Sequence, residues 1–119
     1  MGMDYKYAGS ASYPRFNDEV EGIAKLFGAQ TITNRKPQEE CTMLEYFMED
    51  PLEYKFPDGT PDILVKWAND PYNENFTKGE TKELYDILKT KWDEVKRISN
   101  QIAYELETCV ACYEAWDIC

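Results

Sequence analysis

The sequence predicts an α+β domain: a small, mostly antiparallel sheet covered by one short N-terminal helix and one long C-terminal helix. Three observations carry this. Short alternating or β-branched stretches lie between turn signals through the first two thirds of the chain. Apolar residues recur at helical spacing from Phe16 to Phe27, and a second helical stripe begins at Leu84 and reaches Trp116. At 119 residues the chain is sized for a single domain over residues 1–119, and 43% apolar content with 3 Trp, 9 Tyr and 5 Phe supplies one core.

The elements follow in order. Residues 4–8 set Tyr5 and Tyr7 against Lys6 and predict a first strand. Gly9-Ser10-Ala11-Ser12-Tyr13-Pro14 reads as a turn of small and hydroxyl residues. A helix is expected over about 15–27, with Phe16, Val20, Ile23, Ala24 and Phe27 inward, acidic residues early and Gly28 as its stop. Residues 30–33 predict a second strand and 34–40 a polar loop. Residues 42–48 and 53–56 predict strands flanking Pro51; Pro57-Asp58-Gly59-Thr60 is a turn, and 63–67 resumes as a strand that forms a hairpin with 53–56. Residues 69–75 are dense in turn formers. Thr77-Lys78-Gly79-Glu80 fits a capping box and starts the long helix, expected over about 78–117.

That helix is the firmest expectation and also a problem. Leu84, Leu88, Trp92, Val95, Ile98, Ile102, Leu106, Cys109, Tyr113 and Trp116 follow one another by steps of three or four. A rod of that length spans roughly 60 Å at 1.5 Å per residue, against about 35 Å for a compact domain of this size. A continuous rod therefore calls for a second copy of the chain, with Ser99 as a polar residue in the seam. A break at Ser99-Asn100 is the alternative, although neither Gly nor Pro stands there to make it.

Charge narrows the function. With 13 basic and 23 acidic residues the net charge is −10, and residues 39–77 alone hold ten acidic groups against two basic ones. Such a field repels nucleic acid and anionic membranes and speeds encounter with a basic surface. No apolar run is long enough to span a membrane and the N-terminus lacks the pattern of a signal peptide, so a cytoplasmic location is expected. The 4 cysteines (Cys41, Cys109, Cys112, Cys119) read as reduced thiols. Cys109-Val-Ala-Cys112 lies at a helix C-terminal end among carboxylates, which disfavours the thiolate a redox pair needs. A second paired motif for a zinc site is missing, and residues 69–75 lack the alternation of a calcium loop. Neither a metal nor a cofactor is therefore expected.

There is no histidine, which excludes Ser-His and Cys-His nucleophiles, and no phosphate- or zinc-binding motif of an enzyme appears. The expected function is a non-enzymatic acidic binding or inhibitor protein that engages a basic protein partner, homodimeric through the terminal helix. Glu45, Glu49, Asp50, Glu53, Asp58 and Asp62 are the expected contact residues. In size and charge such a chain resembles phage-encoded anti-defence proteins that occupy nucleic-acid channels. A second reading is a small-ligand module. Tyr7, Gly9, Ser10, Ser12, Tyr13 and Arg15 offer free N–H groups, hydroxyls, a cation and rings that suit a nucleotide or phosphate. Over that stretch alone, the strand–Gly-Ser–helix turn resembles those of small Rossmann-like nucleotide-binding proteins. A structural or assembly subunit is the third.

Overall fold

The computed structural model describes residues 2–32, 53–71 and 76–116. Within them the α+β class holds: two two-stranded antiparallel sheets and five α-helices. Strand β1 (Gly2–Asp4) pairs with β2 (Ser10–Ser12), placing Met3 opposite Ala11. The first strand thus ends where it was expected to begin. Tyr5 still makes a bridge, residues 6–8 bend, and Gly9 at φ +84° closes the hairpin with its carbonyl accepting the Tyr5 N–H at 2.7 Å. The small residues read as a turn are partly a strand, because their backbone pairs with β1.

Helix α1 (Tyr13–Leu26) follows directly and buries Phe16, Val20, Ile23 and Ala24. Its C-terminus is a Schellman cap: Gly28, at φ +91°, donates to the Lys25 carbonyl, and Ala29 donates to that of Ala24. Gly22 receives the side chain of Ile98, whose Cγ2 lies 2.9 Å from where a Cβ would stand. Strand β3 (Gln30–Ile32) pairs with β4 (Glu53–Lys55), with Thr31 opposite Tyr54. The predicted strand over 42–48 lies outside the described residues.

Residues 63–67 are the clearest correction. They form not a strand but helix α2 (Asp62–Asn69), which buries Ile63, Leu64, Trp67 and Ala68. That burial pattern has helical period, and a short run of Ile, Leu and Val does not discriminate the two periods. The predicted 53–56/63–67 hairpin is therefore replaced by β3–β4. The helix still serves the sheet: the Asn69 side chain accepts the Tyr54 N–H at 2.7 Å and donates to the Tyr54 carbonyl at 3.2 Å, satisfying backbone groups of β4.

The long C-terminal helix is also corrected. The chain breaks into α3 (Lys78–Lys89), α4 (Trp92–Ile98) and α5 (Asn100–Ala111), and α3 packs against α5. The capping box is present: Thr77 Oγ accepts the Glu80 N–H at 3.0 Å, and Glu80 accepts the Thr77 N–H at 3.1 Å. At the second break no glycine is required. Ser99 adopts an extended backbone (φ −149°, ψ 98°), and its hydroxyl accepts the Ile102 N–H at 3.1 Å while donating to Glu19 at 2.8 Å. The residue expected in a dimer seam is the N-cap of α5.

Folding back shelters the stripe within one chain. Leu84, Leu88, Val95, Ile102, Leu106 and Cys109 are all fully buried in the same core. The geometric reason for a companion copy is thereby removed. Beyond α5 the stripe divides: Tyr113 is 82% exposed at φ +56°, whereas Trp116 is buried and packs on Trp67 and Phe76 at ring-centroid distances of 5.8 and 6.4 Å.

Candidate functional site

Helices α2 and α3 pack against each other, and Lys66 and Glu80 form a 2.6 Å ion pair between them. The Lys66 ammonium, joined by the Thr77 N–H, holds the Glu80 carboxyl below its ordinary pKa. The two helices also line an open groove of about 370 Å³ formed by Pro61, Asp62, Ile63, Glu83, Asp86 and Ile87. Ile63 and Ile87 face the core side, and both pack on buried residues. Asp62, Glu83 and Asp86 are exposed, so three carboxylates stand around an apolar floor, and none of the six lining residues is basic. Lys82 reaches Asp86 at 2.9 Å, but both side chains are more than half exposed, and such pairs contribute little.

Of the expected acidic contact residues, Asp62 lines this groove, and Asp58 sits in the turn that leads into α2. Glu53 stands on β4, and Glu45, Glu49 and Asp50 lie outside the described residues. Glu83 and Asp86 were not foreseen as contacts, because they belong to a segment read mainly for its apolar stripe. Spacing along α3 was the available signal: Glu83 lies three residues before Asp86 and four before Ile87, so it neighbours both on the helix surface.

The Gly9 turn is built differently from a free ligand cradle. Lys6 and Tyr7 donate their N–H groups at 2.8 Å to the two carboxylate oxygens of Glu105, which is completely buried. Gln101 donates to the carbonyls of Ala8 and Ser10 at 3.0 and 2.9 Å. The Tyr7 hydroxyl hydrogen-bonds Glu114, which also receives the Lys6 ammonium at 2.8 Å. Lys6 and Tyr7 therefore hold the Glu114 carboxyl below its usual range, and Glu114 in turn pushes the Tyr7 phenol up. The Ser12 hydroxyl accepts the Arg15 N–H at 3.3 Å as the cap of α1, and the Arg15 guanidinium pairs with Glu19 at 3.1 Å. The amides of Lys6 and Tyr7, just before the turn, thus already hold an anion that comes from the chain itself. Tyr13 sits half-exposed at the first position of α1.

Cys109 is buried, and burial followed by the charge of Glu105 pushes its thiol up to about 12; Cys112 is exposed. Cys41 and Cys119 lie outside the described residues. Among the described residues no three His, Cys, Asp or Glu side chains are grouped to hold a metal ion, and no helix is long and apolar enough to cross a membrane. The chain matches no family model, and no curated protein or solved structure shows significant similarity to it.

Proposed function

We propose that this chain is a non-enzymatic acidic binding protein that engages a basic protein surface through the α2–α3 face. The observation that supports this is the groove: Asp62, Glu83 and Asp86 point their charge outward around an apolar floor, with Asp58 in the preceding turn. Carboxylates in this setting are hydrated, and the one ion pair among them, Lys82–Asp86, is exposed and weak, so they remain available to a cationic partner. A nucleic-acid channel on another protein is the class of basic surface that suits the net charge of −10.

A displacement experiment tests the reading. The protein is titrated into a complex of fluorescent duplex DNA with a lysine-rich histone, and released DNA is followed by anisotropy. Wild type should displace the DNA, with a steep salt dependence. Reversing Asp58, Asp62 and Asp86 to Lys together should remove most of that competition. Undiminished competition by the reversed variant would sink the assignment.

A further inference from the structure

The geometry points to a specific occupant for the α2–α3 groove: a basic amphipathic helix of a partner protein, seated with an aliphatic side chain on Ile63 and Ile87 and with lysine or arginine heads against Asp62, Glu83 and Asp86. This rests on the reading of the α2–α3 face as an acidic docking surface and adds what that surface selects. Charge alone would accept any polycation. The groove adds a second requirement, because its floor is apolar while its rim is anionic.

The dimensions and chemistry agree. The groove holds about 370 Å³ but is wide open, so it would leave most of a small ligand in water, whereas one or two large side chains projecting from a partner surface can seat in it. A helix delivers side chains in that way, presenting an apolar residue on one stripe with cations beside it at neighbouring positions. Lysine and arginine reinforce the fit, since their aliphatic stems lie along apolar surface while the charged heads reach outward to carboxylates. The same carboxylates exclude a phosphate backbone or an anionic membrane from the groove by like-charge repulsion. Lys82 does not block it, because its pair with Asp86 is solvent-exposed and exchanges easily for an incoming cation.

Two labelled synthetic peptides test the proposal: one of leucine and lysine at helical spacing, and one of equal length and charge with every leucine replaced by serine. Fluorescence anisotropy should show the leucine-lysine peptide binding about tenfold tighter than the serine-lysine peptide, as one well-buried aliphatic side chain allows. Neutralising the groove (Asp62→Asn, Glu83→Gln, Asp86→Asn) should weaken binding of the leucine-lysine peptide by about tenfold or more. Neutralising three exposed acids outside it (Asp4→Asn, Glu94→Gln, Glu107→Gln) removes the same charge and should change affinity by less than about threefold. The variant Ile87→Asn should abolish the preference for leucine while leaving serine-lysine binding unchanged; the carboxylate variants decide the matter if Ile87→Asn does not fold. Equal affinity for the two peptides, or equal losses in the two neutralised variants, would overturn the groove assignment and leave the general acidic-binder reading intact. Failure of wild type to bind either peptide would overturn both.

Discussion

The N-terminal hairpin and the α2–α3 groove use acidic side chains in opposite ways. In the hairpin, Glu105 is completely buried and both of its oxygens accept backbone N–H groups, while Glu114 is tied to Lys6 and Tyr7. In the groove, Asp62, Glu83 and Asp86 are exposed, and among the described residues only Asp86 of the three has an ion-pair partner, itself open to water. The contrast teaches where function can reside in a chain this rich in acids. A carboxylate consumed by the fold cannot be offered to a partner without unmaking the fold. One left at the rim of a groove costs the fold almost nothing to present.

The comparison breaks most sharply at Glu105. Replacing it with Ala leaves the Lys6 and Tyr7 amides without their acceptor and should lose about 3 kcal/mol, with Gln losing less because one oxygen remains. Urea unfolding measures this, and a loss within error of zero would mean that the hairpin is not clasped by this residue. Peptide binding at the groove should be unaffected in any folded Glu105 variant.

A smaller effect concerns how the clasp is delivered. Helices α1 and α5 end in the same Schellman arrangement, with Glu114 donating to Cys109 and Tyr113 to Val110 just as Ala29 and Gly28 do in α1. One cap places Gly28 in the left-handed region; the other places Tyr113 there, where a side chain is strained. Tyr113→Gly should therefore raise stability by roughly 0.5–1 kcal/mol while keeping Glu114 in place. Thermal melting that falls instead would show that the exposed ring makes contacts worth more than the strain.

Acid pH separates the two regions further. Because Glu114 is held below the ordinary carboxylate range when folded, the stability it supplies is complete above its unfolded value. It is lost as pH falls through the lowered folded value. The gap in urea midpoint between wild type and Glu114→Gln should close on acidification; a gap that stays constant would mean that the Lys6–Glu114–Tyr7 contacts do not persist in solution. The smallest effect is expected at the groove, where neutralising Asp62 or Glu83 singly should change stability by no more than about 0.5 kcal/mol.

Much of the fold was legible where a single local cause decides it. The capping box at Thr77 and Glu80, the Gly28 stop and the inward face of α1 are all set by residues within a turn or two of one another. Residues 63–67 misled because a short apolar run carries no period of its own, and only the burial of Trp67 and Ala68 together with Ile63 and Leu64 shows the helix. Within the site, Asp62 was legible from the acidic surplus of the middle third. Glu83 and Asp86 were not, because their partnership with Asp62 crosses between two helices.

By itself, then, the amino-acid order determined the class of fold, the acidic character, the absence of an imidazole base and the apolar stripe of the C-terminal third. Only tertiary structure decided where that stripe bends. Ser99 can cap a helix or continue one, and the hydrogen bond to Glu19, eighty positions away, is what favours the cap. Likewise nothing near Lys6 and Tyr7 in the sequence names the acceptor of their amides; α5 brings Glu105 to them from about a hundred positions away. Local preference sets what each segment can do; contacts distant in sequence select among those options, because satisfying buried polar groups outweighs the small differences in propensity.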